Sequence, residues 1–279
     1  MDPLRRAYRG MQALTDALAR PPFVRSGHFY SPVNGPADVE RALAWDEDVP
    51  GVDLRPEAQL ELFGELLPLF EGVPDVRYRT PNGMYDAADA LVYQAMVRTL
   101  KPRRVIEVGA GYSTAKLLDT ADAFAPDLDI TCVEPYPDRL LGLMRPEDRD
   151  RVNLIAKPVQ DVPVETFARL ESGDVLFIDS SHVAKAGSDV LWLFLRVLPR
   201  LAEGVVVHVH DVFWPFEYPA HWLREGRSWN EDYLLHAFLC HNDAWQIELF
   251  SSWLWHRHPA LVPDDLRGSQ PGAIWLTRR

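Results

Sequence analysis

Two short strings hold the residues with the most chemistry. One is Phe177-Ile178-Asp179-Ser180-Ser181-His182; the other is His208-Val209-His210-Asp211. Each closes an apolar run, so each stands where a strand gives way to a loop. Two carboxylates and two or three imidazoles in one cleft need a cation or a proton to coexist. A divalent metal meets that need, with Asp179, His210 and Asp211 as mixed oxygen and nitrogen ligands and with open positions left over. An open position can hold a substrate hydroxyl and lower its pKa. His182, three residues past Asp179, has the intrinsic pKa of a general base. The same residues also fit a metal-free polar pocket, with His208 and His210 neutral and Asp211 capping a turn. His208 lies one pleat deeper on the strand face of His210, which points to a structural role. His256 and His258 read as a solvated loop, and His28 as part of an N-terminal loop able to fold over a cleft.

A second string, Val105-Ile106-Glu107-Val108-Gly109-Ala110-Gly111-Tyr112-Ser113-Thr114, runs from a strand through a glycine turn into a helix. Glycines let a bound nucleotide approach the backbone, and the helix start offers free N–H groups. Glu134 ends the next strand and suits two ribose hydroxyls. A dinucleotide site expects a third glycine where Thr114 stands. An S-adenosylmethionine site has no phosphates to cradle and tolerates Glu107, which can face the cationic methionine end. A tight turn with no ligand is the third reading.

Seven of the nine Trp residues follow Asp211. VFWPFEYPAHW borders the end of the His208–Asp211 strand, where aromatic walls suit a sugar face, an aromatic acceptor or a quaternary cation. Trp245, Trp253 and Trp275 fall on expected strands and read as core. Trp214, Phe216 and Tyr218 sit in a Pro-bounded loop and fit either role; Glu217 reads as an exposed rim residue.

The elements that must position these residues follow from periodicity. Apolar runs at 104–109, 130–134, 152–156, 174–179 and 204–210 alternate with helical patterns at 113–121, 137–144, 163–171 and 187–201. That alternation predicts an α/β, doubly wound, mostly parallel sheet with ligands at the carboxyl ends of its strands. A helix near 229–240 and apolar runs at 245–255 and 273–277 add two strands, for seven in all. Residues 85–279 read as the catalytic domain. Residues 1–84 read as an N-terminal helical cap and substrate-side loop, with helices over 3–19, 37–44 and 56–71. The apolar face of 56–71 offers a homodimer surface.

The chain has 279 residues, 41 acidic and 29 basic, for a net charge of −12. So acidic a chain is poorly suited to non-specific nucleic-acid binding. Only four of its cations are Lys, and no basic run appears. No stretch approaches the ~18 apolar residues of a membrane span, and no signal peptide is expected. Two cysteines, Cys132 and Cys240, make neither a disulfide framework nor a zinc site, and predict a cytoplasmic protein.

EVGAGYS, followed by VEPYP, PVQDVP and a strand ending in Asp, resembles the class I S-adenosylmethionine-dependent methyltransferases over about residues 85–279. FIDSSHVAKAGSDV through HVHDVFWPFEYP, with HFYSPV near the N-terminus, is similar to a bacterial branch of that superfamily. The resemblance implies a Rossmann-like methyltransferase fold and S-adenosyl-L-methionine as cofactor. It places Glu107, Gly109 and Gly111 along the methionine part, Glu134 at the ribose, and Gln160 and Asp161 near the adenine, with Ser113 also among the cofactor-binding residues. Asp179-x-x-His182 is similar to the macrolide-sugar O-methyltransferases, where the Asp binds magnesium and the His is the base. Those enzymes and the cephalosporin-hydroxylase-type group place two acids after the fifth strand. Here the first is His210, which suits manganese, iron or zinc better than magnesium. The implied activity is O-methylation of a small-molecule hydroxyl. Metal-free N-methylation, a hydroxylase-like metal enzyme and a non-catalytic binding subunit are the alternatives.

Overall fold

The computed structural model describes residues 22–279 together with Tyr8 and Met11. The expected helix over 3–19 lies outside the described residues, those two apart. The chain divides into two compact units, Met1–Asp46 with Pro219–Ser228, and Glu47–Tyr218 with Trp229–Arg279.

In the smaller unit, Gly27 and Gly35 cross so closely that a Cβ on Gly35 would stand 2.7 Å from the Cα of Gly27. The loop they pinch is closed by Gly27 N–H donating to the Val33 carbonyl at 2.9 Å, and it leaves Phe29 and Tyr30 exposed. Helix α1 (Pro36–Ala42) follows, and Arg224 bonds its Glu40 at 3.2 Å.

The larger unit opens with α2 (Pro56–Leu66) and α3 (Ala87–Leu100). Five parallel strands then alternate with helices: β1 (Arg104–Val108), α4 (Tyr112–Phe124), β2 (Asp129–Val133), α5 (Asp138–Leu143), β3 (Val152–Ile155), α6 (Glu165–Ala168), β4 (Val175–Ile178), α7 (Asp189–Trp192) and β5 (Val206–His210). In the smaller unit, α8 spans Ala220–Arg224; the larger unit ends with α9 (Glu231–Leu239), β6 (Trp245–Phe250), α10 (Ser251–Arg257) and β7 (Ala273–Arg278).

The sheet order is β3-β2-β1-β4-β5-β7-β6, with β7 antiparallel to both its neighbours. The chain winds outward from β1 to β3, then crosses back to β4. The carboxyl ends of β1 and β4 therefore flank the switch point, where doubly wound sheets bind ligands. Strands buried on both faces explain the Val- and Ile-rich runs: Val105, Ile106, Val175 to Ile178, Val207 and Val209 are all fully enclosed.

Two expectations are corrected here. The 245–255 run splits into β6 and α10, so Trp253 lies on a helix, still buried in the core. The 187–201 helix is short: α7 widens into a π-turn over Leu193–Val197 and a 3-10 turn over Leu198–Arg200, because Pro199 offers no N–H to an α-helical ladder. The apolar face of α2 packs partly inside the chain, with Phe63 edge-on to Trp255 at 5.5 Å and Leu66 fully buried, while Leu60 and Leu62 stay half-buried. Among the described residues no helix is long and apolar enough to cross a membrane.

Candidate active site

Strand register assembles the site. Val108 of β1 pairs with Ile178 of β4, and Ile178 pairs with Val209 of β5. The next residues along are Gly109, Asp179 and His210, which therefore stand in a row across the sheet end. Val108 also pairs with Val133 of β2, which brings Glu134 beside Gly109. Gly109 has φ +84°, and a Cβ there would lie 1.8 Å from the Asp179 carbonyl oxygen. No other residue type fits that position.

A cleft of about 370 Å³ opens at this end. Gly109, Ala110, Gly111 and the buried Ser113 line one side, Glu134 the next, and Asp179, His182 and Asp211 the far wall. Glu134 is fixed by two backbone donors, Ala110 N–H at 3.2 Å and Tyr136 N–H at 2.8 Å. Gly111 caps α4, its N–H donating to Thr114 Oγ1 at 3.1 Å.

Three expected cofactor residues are placed elsewhere. Glu107 is fully buried and does not line the cleft. Its carboxyl accepts from Tyr93 of α3 at 3.1 Å and from the Thr114 hydroxyl of α4, and burial pushes its pKa up to about 7. Gln160 donates to the Gly187 carbonyl at 3.0 Å, Asp161 is exposed, and neither lines the cleft. Both sit on a 3-10 turn, Val159–Asp161, that starts four residues past Ile155, the end of β3.

The polar wall is tightly coupled. His182 Nε2 stands 3.5 Å from Asp179 and 3.4 Å from Asp211, and Nδ1 stands 2.9 Å from Glu231. His182 and Asp211 both take left-handed backbone, at φ +58° and +56°, conformations that gather where function constrains the chain. Burial opposes a charge on His182, but its bonds to Asp179 and Glu231 win and raise its pKa well above the usual value. His210 is raised too, since Asp211, Asp179 and Asp89 outweigh its burial. Burial pushes Asp179 up, yet His210 and His182 hold it below the usual carboxylate range.

Asp179, His210 and Asp211 each offer a ligand atom, all within 4.8 Å of one another. Nδ1 of His210 is buried with no hydrogen-bond partner among the described residues. Two carboxylate oxygens and an imidazole nitrogen at this spacing fit a divalent cation. His208 does not join them: it is sandwiched between Phe177 at 4.2 Å and Trp275 at 4.5 Å, and burial drives its pKa well down.

Several residues at the site escape sequence reading. Met84, Tyr85, Tyr112, Arg139 and Trp229 line the cleft, and Trp229 packs against His182 at 4.6 Å between ring centres. Glu231 and Asp232 are buried at the start of α9, and Asp89 of α3 is buried with a pKa pushed up to about 7. The one sequence signal was Asn230-Glu231-Asp232, a polar string opening an otherwise apolar helix. Trp214, Phe216 and Tyr218 prove to be buried packing residues.

A family model described as a methyltransferase domain matches residues 106–212. An uncharacterised protein of Archaeoglobus fulgidus is 34% identical over 163 residues, covering 52% of this chain and 72% of the relative. Among solved structures, the SAH-bound methyltransferase PaMTH1 of Podospora anserina aligns at 18% identity over 88% of this chain and 97% of that one, with a TM-score of 0.46. The O-methyltransferase from Bacillus cereus in complex with SAH aligns at 14% identity over 78% and 91%, with a TM-score of 0.43. The matched stretch runs from within β1 through β5 and includes the glycine turn, and residues 106–212 are a methyltransferase domain.

Proposed function

We propose that the chain methylates a hydroxyl oxygen of a small-molecule acceptor, with His182 receiving the hydroxyl proton. The observation that carries this reading is His182 Nε2, set between Asp179 and Asp211 on the wall of the cleft that begins at the glycine turn. Bound S-adenosylmethionine supplies an electrophilic methyl group on a sulfonium. Gly109 and Gly111 would let it approach the backbone beside Ser113, and Glu134 would accept from its ribose hydroxyls. Alone, the carboxylates around His182 hold a proton on it; a divalent cation held by Asp179, His210 and Asp211 would supply that positive charge instead, leave Nε2 free to take the acceptor's proton, and lower the pKa of a nearby hydroxyl. Trp229 and Tyr85 shield the reacting end from water, and the cleft walls hold the acceptor in line. The net charge of −12 favours a small acceptor over a nucleic acid.

The test pairs S-adenosylhomocysteine binding, by calorimetry, with methyl transfer to a panel of hydroxyl and amine acceptors under manganese, magnesium or chelator. The expected result is metal-dependent transfer to oxygen, with His182→Ala binding S-adenosylhomocysteine normally and turning over nothing. Unchanged turnover in His182→Ala removes the base assignment. Transfer to an amine that survives chelation replaces the reading with N-methylation.

A further inference from the structure

His182 is held in place by the segment that opens α9. Asn230 N–H donates to the His182 carbonyl at 3.0 Å, and Glu231 N–H to the same oxygen at 3.3 Å. The Asn230 side chain brackets Ala184, accepting from its N–H at 2.6 Å and donating to its carbonyl at 3.3 Å. Glu231 reaches the imidazole itself, 2.9 Å from Nδ1. It is 1% exposed, and its Oε1 has no partner among the described residues. A buried carboxylate with one oxygen unsatisfied is costly unless its other contact matters. That other contact is the His182 ring.

Left-handed backbone at His182 makes the clasp necessary. A non-glycine residue at φ +58° persists only where its surroundings over-determine it. Two amides on its carbonyl and the bracket on Ala184 fix the main chain. One ring bond to Glu231 and one ring face on Trp229 fix the side chain.

We propose that Asn230 and Glu231 are positioning residues for His182: Asn230 sets its backbone, and Glu231 engages Nδ1 so that Nε2 is the nitrogen presented to the cleft. A base oriented by a third group recurs wherever a side chain must receive a proton along one direction. The proposal rests on the reading of His182 as the base for its purpose, but not for its geometry.

The test is proton NMR of the full chain with ring-¹⁵N histidine and S-adenosylhomocysteine bound. Wild type is expected to show one ring N–H proton far downfield and slow to exchange, absent from His182→Gln. Glu231→Ala should lose that resonance. Glu231→Gln should keep it but move it upfield, because a neutral amide is a weaker acceptor than a carboxylate. If Glu231→Ala does not fold, Glu231→Gln alone decides between displacement and no change. A resonance unmoved in Glu231→Gln, or no such resonance in wild type, overturns the proposal. If the resonance behaves as expected while His182→Ala turns over normally, the orientation stands and the base assignment falls. If the resonance is missing while His182→Ala is inactive, the base assignment stands and the orientation by Glu231 falls.

Discussion

Gly109 and Asp179 touch through their backbones: the amide of Asp179 donates to the Val108 carbonyl at 2.8 Å, and the space a Cβ would need on Gly109 is filled by the Asp179 carbonyl oxygen. Cofactor turn and polar wall are thus one rigid joint. Gly109→Ala should cost about 3 kcal/mol or more, from left-handed strain and a clash with main chain that cannot swing aside. Gly111→Ala makes the contrast. Its φ of 174° is ordinary extended backbone, and the nearest obstacle is the Arg139 side chain at 3.2 Å. It should cost about 1 kcal/mol or less, while weakening S-adenosylhomocysteine binding. Urea denaturation and calorimetry on the pair check both statements.

Arg77 should matter for stability and not for the cofactor. Its guanidinium bonds Asp148 at 2.6 and 2.7 Å, Asp119 at 2.9 Å and Asp122 at 2.8 Å, and Arg77, Asp119 and Asp148 are all buried. Arg77→Met strands two buried carboxylates, and breaking such a pair costs about 3–5 kcal/mol. Burial pushes Asp148 up, but the hydrogen bonds from Arg77 hold it below the usual range. A depressed carboxylate stabilises above its unfolded pKa, so this contribution is present above about pH 4 and fades as pH falls further. The variant should melt lower at pH 7, and its deficit should shrink below pH 4.

Glu107 gives the opposite slope. Burial raises its pKa to about 7, so between the unfolded value and pH 7 the folded chain binds the extra proton. Stability therefore falls as pH rises through that window, by about 3 kcal/mol at most. Glu107→Gln cannot ionise and keeps one acceptor oxygen, while its amide N–H can donate to the other hydroxyl oxygen. Urea midpoints between pH 5 and 8 should decline less steeply in the variant than in wild type.

The proposed cation site makes a quantitative demand. Asp211→Asn and Asp179→Asn should each weaken manganese binding by about tenfold or more, read by electron paramagnetic resonance of free Mn²⁺. His208→Gln should leave it unchanged, since His208 faces Phe177 and Trp275. Equal affinity across wild type and both Asp variants would sink the site.

Most of the sheet and half of the site were legible because they depend on local order. Val-rich runs ending in Gly109, Asp179 or His210 announce both strand and strand end, and parallel register then aligns those ends. Gln160 and Asp161 were misplaced because the loop beyond β3 carries them away, and loop paths leave no periodic trace. Glu107 sits two residues before Gly109, yet its partners Tyr93 and Thr114 lie on two helices whose packing periodicity does not report. Glu231 is 49 residues from His182, and only the folded chain brings them together.

Strand β7 sits between β5 and β6, and that order has a consequence for biogenesis. During translation β1 to β5 emerge first, with the β5 edge that carries His208 and His210 open to any passing strand. Its proper neighbour begins at Ala273, 63 residues after His210, and β6 gains a place in the sheet only by pairing with β7. A nascent sheet of five strands therefore keeps its β5 edge unpaired until β7 has been made, the interval in which strand addition by another chain would compete with the native pairing.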